Sequence, residues 1–120
     1  MGENKEYVSQ QLDNGTVHIS EDVVAATAAM AVLEIEGVCG LASGVSAKRG
    51  SGKGIRVAIA ADDSISIDCY VIVLYGYSVI EIAKTVQEAV STAVESTTGR
   101  TVAHVNVSIS GISLPKTAKK

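Results

Sequence analysis

The stretch Ile65-Ser66-Ile67-Asp68-Cys69-Tyr70-Val71-Ile72-Val73-Leu74 decides the fold. Its first residues alternate apolar and polar with the period of two that belongs to a strand with one buried face. Its last four are apolar on both faces, which suits a central strand or a covered surface. Upstream, Ile55, Val57 and Ile59 alternate with Arg56, Ala58 and Ala60, and Asp62-Asp63-Ser64 between the two runs reads as a turn. The pair is therefore a β-hairpin. Downstream, Tyr75-Gly76-Tyr77 breaks the strand. Ser78-Val79-Ile80-Glu81 then has the spacing of a capping box, with a hydroxyl for the amide three residues on. A helix follows over 79–97. Val79, Ile82, Ala83, Val86, Val90 and Val94 share one side of it, while Glu81, Lys84, Glu88 and Glu95 share the other. Val102 to Ser110 is a last strand, with Val105, Val107 and Ile109 facing one way.

The first third of the chain supplies one more strand and one more helix. Residues 1–14 are polar and read as a flexible segment, and Asn14-Gly15 is a turn signal. Thr16 to Ser20 alternates as a short strand. Ser20 can cap a helix over 21–35, with Glu21 and Asp22 where the helix dipole favours negative charge and Gly37 placed to stop it. That helix is small and apolar over most of its girth, which predicts packing on more than one side. The order β-α-β-β-α-β gives an α+β, two-layer, ferredoxin-like arrangement. It has a four-stranded, mostly antiparallel sheet with both helices on one face and the first and third strands at the centre. One domain spans 15–113, and a flexible basic tail occupies 114–120.

Composition narrows the function. Of 120 residues, 47% are apolar and 19% charged, so the chain is globular. With no Phe, no Trp and only 4 Tyr, it lacks the aromatic platforms on which proteins stack bases or sugars. The net charge of −3 disfavours a basic nucleic-acid binder. The charge runs in blocks: acidic over 1–36, basic over 37–56, acidic over 57–99 and basic again to the end. Such blocks solvate a surface or let copies dock head to tail. Two distant cysteines make neither a disulfide scaffold nor a zinc knuckle. The longest apolar-rich run, Val23 to Leu33, is far shorter than the roughly 20 residues that a membrane span needs. No signal peptide is read either, so the expectation is a soluble cytoplasmic domain.

Tests for chemistry return little. The basic glycine-rich loop 48–54 fails as a phosphate loop: Ala47 stands where the first glycine belongs, and the loop leads into a strand instead of a helix. Gly37-Val38-Cys39-Gly40 matches the Gly-x-x-Gly of KH domains, but its middle pair is not basic. A KH-like or RRM-like RNA-binding module is kept as the alternative function. Cys39 with His104 as base is a conceivable nucleophile pair, although nothing places the two together, and a small buried hydrophobe is the expected role of each cysteine. In the expected strand order His18 and His104 are neighbours with Asp68 one strand further over, a conceivable metal set. Two exposed histidines are the plainer reading. No enzyme, cofactor or metal is expected. The sheet face away from the helices carries Arg56, Ala58, Ala60, Ser66 and the apolar row Tyr70, Ile72, Leu74. That face either binds a protein or is covered by a terminal segment or the glycine loop. With Tyr75, Gly76 and Tyr77, the row is the candidate interaction surface.

The motifs also resemble, in order, those of the alkaline shock protein family, envelope-stress-response proteins of Gram-positive bacteria. Gly15-Thr16-Val17-His18-Ile19-Ser20 with Val23-Val24 looks like the opening strand and helix, and Glu36-Gly37-Val38 like the helix-ending motif. Lys53-Gly54-Ile55-Arg56-Val57 and Ile67-Asp68-Cys69-Tyr70-Val71-Ile72-Val73 with Tyr75-Gly76 look like the two signature strands. Val86-Gln87 with Val90, and Val102 to Val107 with Gly111-Ile112, resemble the second helix and closing strand. Cys69, where Val or Met is more usual, and a short glycine-rich middle loop are the main departures. The resemblance covers residues 15–113. It implies a non-enzymatic cytoplasmic protein of envelope homeostasis, without cofactors or catalytic residues, which in some members sits at the membrane through a membrane-anchored partner. Other members are connected with lipid synthesis. The apolar row and the charge blocks, for their part, predict a homo-oligomer or a tight protein partner.

Overall fold

The computed structural model describes residues 5–42 and 54–114. The elements follow in the order β1 (Tyr7–Leu12), β2 (Gly15–Ser20), α1 (Glu21–Leu33), β3 (Val38–Leu41), β4 (Ile55–Ile59), β5 (Ile65–Leu74), α2 (Val79–Thr98) and β6 (Val102–Ser113). β5 is the centre. β4 pairs antiparallel with its first half, from Ile59 opposite Ile65 to Ile55 opposite Cys69. β3 pairs antiparallel with its second half, from Leu41 opposite Val71 to Val38 opposite Val73. The two short strands therefore lie end to end along one edge of β5 and meet at Tyr70. The Tyr70 carbonyl accepts from Ala42 N at 2.8 Å, and its amide donates to Gly54 O at 2.8 Å. β6 runs parallel along the other edge for the full length of β5.

Alternation along β5 sets the two layers. Ile65, Ile67, Cys69, Val71 and Val73 are buried together with Val24, Ala25, Ala28 and Val32 of α1 and Ile82, Val86, Val90 and Val94 of α2. Both helices thus cover one face of the sheet. Ser20 and Ser78 cap them, their hydroxyls accepting from Val23 N at 3.4 Å and Glu81 N at 3.3 Å. Gly99, at φ 75°, closes α2 in the left-handed conformation.

The α+β class, the two helices and the four-stranded, mostly antiparallel sheet agree with the sequence reading. The sheet's membership does not. Thr16–Ser20 does not enter it, because β3 with β4 and β6 already occupy both edges of β5. Instead β2 pairs with β1 in a separate antiparallel hairpin, Val8 opposite Ile19. Residues 7–12, expected to be flexible, are thus a strand, and Val8 is fully buried. Expectations for residues 1–4, the basic loop 43–53 and the tail 115–120 lie outside the described residues.

The hairpin is held to the body largely by polar contacts around Asp63. One carboxylate oxygen accepts from Lys5 Nζ at 2.7 Å and from Ser9 N at 3.1 Å, and the other lies 3.5 Å from Arg100 Nη2. The Lys5 hydrogen bond does most to hold the Asp63 carboxyl below the usual range. Arg100 Nε and Nη2 both donate to Ser9 O, at 2.9 and 2.7 Å, and Gln10 Nε2 donates to the carbonyl of Gly99 at 3.1 Å.

Candidate interaction surface

The even-numbered residues of β5 point away from the helices. Ser66, Asp68, Tyr70, Ile72 and Leu74 are each half-buried, and no described element lies across them. The register shows what flanks each one. Asp68 stands between Arg56 and Asn106 and accepts from Asn106 Nδ2 at 2.9 Å. Ser66 stands beside His104. This end of the face is polar.

The other end is different. Tyr70 lies beside Ser108, Leu74 beside Ser113, and Ile72 between Gly40 of β3 and Gly111 of β6. An isoleucine with glycine on both sides has no cross-strand side chain to shield it. Tyr70, Ile72 and Leu74 consequently form a ridge whose gutters are floored by small residues. Such relief admits an opposing apolar surface close to the backbone.

The remaining candidates separate from the ridge at the end of β5. Tyr75 is 66% exposed, and its amide donates to Ser113 O at 2.9 Å. Gly76 takes φ 104°, the left-handed region that the tight strand-to-helix turn requires. Tyr77 turns back toward the helices. Its hydroxyl donates to Glu36 Oε2 at 3.2 Å, and the nearby negative charge raises its pKa. Its ring lies where a side chain on Gly37 would stand, 2.8 Å from the position of a Cβ there. Tyr77 thus packs at the α1–β3 junction, and of the expected surface Tyr70, Ile72 and Leu74 share the outward face of β5.

The other sequence candidates disperse. Gly40 is paired within β3 and Gly37 is buried, so Gly37-Val38-Cys39-Gly40 is a helix-to-strand passage and not a free backbone clamp. Cys39 is exposed, contrary to expectation, at the irregularity between Val38 and Gly40. It sits at the opposite end of β5, and on the opposite edge, from His104. Cys69 is buried as expected, and burial pushes its thiol up to about 12, far from a nucleophilic thiolate. His18 stacks on Tyr7 at 4.3 Å in the hairpin, so it does not join His104 and Asp68. Among the described residues no helix is long and apolar enough to cross a membrane.

Residues 9–114 match the model of the alkaline shock protein 23 family, whose description is cell envelope-related function. The chain is 33% identical over 113 residues to "Uncharacterized protein YqhY" of Bacillus subtilis (strain 168), covering 88% of this chain and 83% of the relative. It is 33% identical over 107 residues to "Uncharacterized protein YloU" of the same organism, covering 82% and 88%. Solved chains titled "MamM CTD" align at a TM-score of 0.49 with 20% identity, over 79% of this chain and 95% of theirs.

Proposed function

The chain belongs to the alkaline shock protein 23 family, of cell envelope-related function, and from that premise we propose that it is a non-enzymatic assembly module of envelope homeostasis and stress response. It works in the cytoplasm by self-association and by binding a protein partner, which brings it to the membrane. The observation that carries this reading is the ridge Tyr70-Ile72-Leu74, across which no described element lies, with Ile72 between Gly40 and Gly111. Burying an apolar ridge against a matching surface removes it from water at about 25 cal/mol per Å². No described cluster of metal-ligating side chains offers a competing chemistry.

Light scattering at high micromolar concentration and a pull-down from cells test the proposal together. Wild type forms species larger than 12.3 kDa or captures a defined partner. Ile72→Lys, which sets a charge on the ridge, abolishes both while its melting temperature stays within a few degrees of wild type. A strict monomer that captures nothing, or an Ile72→Lys variant that assembles like wild type, overturns it.

A further inference from the structure

Among the described residues, the outer side of α1 is a second unpartnered surface, independent of the sheet ridge. α1 is apolar almost all round, yet the sheet and α2 cover only its Val24, Ala25, Ala28 and Val32 side. On the other side Val23, Ala26, Met30 and Leu33 follow one another at steps of three, four and three. Val23 is 44% exposed, Met30 64% and Leu33 51%. That spacing is the a/d seam by which one helix receives another. The seam runs about 15 Å along the helix, at 1.5 Å per residue. Beside it, Ala31 of α1 and Ala89 and Ala93 of α2 line an open groove rimmed by Glu34 and Glu88.

Charge decides what can lie there. Residues 21–36 and α2 together carry seven carboxylates against the single ammonium of Lys84. Acids stand at both ends of the seam: Glu21 and Asp22 before it, Glu34 and Glu36 after it. A second copy laid antiparallel would set Glu21 and Asp22 against Glu34 and Glu36, and a parallel copy would set like against like. An anionic lipid surface would be repelled in the same way. A helix with its own apolar stripe and Lys or Arg at its flanks meets complementary charge at both ends of the seam and at the Glu34–Glu88 rim beside it.

We propose that the Val23-Ala26-Met30-Leu33 face of α1 is the docking site for an amphipathic, basic helix of another protein. The probes are two fluorescein-labelled 18-residue peptides with leucine at a and d positions, one with lysine and the other with glutamate at e and g. Their binding to the full chain is read by anisotropy. The lysine peptide binds, and more weakly as salt rises, whereas the glutamate peptide does not. Met30→Ser/Leu33→Ser weakens binding at least tenfold, and Glu34→Gln/Glu88→Gln weakens it and flattens the salt dependence. Ile72→Lys leaves it unchanged, which separates this site from the sheet ridge. The proposal fails if the lysine peptide does not bind at 100 µM or if both peptides bind alike. It fails equally if Met30→Ser/Leu33→Ser binds like wild type. If that double variant instead dissociates a homodimer, or removes binding to phosphatidylglycerol vesicles, the occupant is a second copy or a membrane and the proposal is overturned.

Discussion

β5 and β2 are both strands of alternating sequence, yet the chain holds them by different means. β5 buries one entire face, with Ile65, Ile67, Cys69 and Val71 fully inaccessible, and has strands along both edges. β2 exposes five of its six residues and has β1 along one edge. Its hairpin stays on the body through Val8 and through the polar cluster of Asp63, Lys5, Ser9 and Arg100. Apolar burial carries no charge for salt to screen or pH to titrate, while a charge cluster responds to both. The centre should therefore unfold only globally, and the hairpin should also open on its own.

Ile67→Ala attacks the centre. Its side chain is fully buried, so truncation costs about 2–5 kcal/mol, lost burial plus the cavity left behind. Urea unfolding followed by far-ultraviolet circular dichroism should show one transition at a lower midpoint. A cost under about 1 kcal/mol would mean that the centre can repack, and the contrast with the hairpin would weaken.

The exit from β5 comes next. Among the described residues, no atom beyond its two chain neighbours lies within 4 Å of where a Gly76 Cβ would stand, so the cost there is conformational. Gly76→Val should lose about 1–3 kcal/mol. Gly37→Ala should lose more than Gly76→Ala, because at Gly37 a positive φ is joined by contacts of 2.8 and 2.9 Å with Tyr77 and Ile82. Equal melting temperatures for the two alanine variants would contradict this. Normal stability of the Gly76 variants with loss of a bound partner would make Tyr75-Gly76 a contact site instead of a turn.

Asp63→Asn attacks the tether. It weakens the hydrogen bonds and ion pairs that join the hairpin to the body and should cost about 1 kcal/mol. Hydrogen exchange should quicken in β1 and β2 and stay slow in β5. The same contribution depends on pH. The folded carboxyl is held below its ordinary value, so its stabilisation is complete above about pH 4 to 5. It is lost as pH falls through the lowered folded value. Wild-type hairpin protection should drop across that acid range, and the Asp63→Asn variant should not show the step.

How much of this was legible in the sequence follows the same division. β5, β4, α2 with its Ser78 cap, and β6 were readable because burial writes a strict period into their residues. The outward row Tyr70, Ile72, Leu74 followed from the same alternation, which leaves open whether a further segment covers it. β1 was missed because Gln10 and Gln11 look like loop residues, and its anchors lie 54 to 91 residues away in Asp63, Thr98 and Arg100. The signal that would have found it is Asp13-Asn14 between Tyr7–Leu12 and Gly15–Ser20, two runs separated by two turn residues. β3 was missed because its Cys39-Gly40 has low strand propensity, and pairing with an already formed β5 overrides that. The glycines beside Ile72 became meaningful only once register placed Gly40 and Gly111 on either side of it.

The smallest effect sharpens what kind of tether the hairpin has. Lys5 Nζ lies 2.7 Å from Asp63 Oδ1 and 5.2 Å from the centre of the Tyr7 ring, and its side chain is partly solvated. Ion pairs in that setting are worth about 0.2–1 kcal/mol, and Lys5→Ala should cost no more. The backbone bond from Lys5 N to Ile59 O at 2.7 Å survives the change, as do the Ser9 and Arg100 contacts to Asp63. Lys5→Ala and Asp63→Asn with their double variant form a thermodynamic cycle. A coupling of a few tenths of a kcal/mol that vanishes in 1 M salt assigns the Lys5 share to Coulomb attraction, leaving the Ser9 amide bond to Asp63 and the Arg100 bonds to Ser9 O as the salt-resistant part. A coupling that persists at high salt would mean that the Lys5–Asp63 pair is shielded from solvent. The hairpin would then be held more like the centre of the sheet than the contrast with β5 requires.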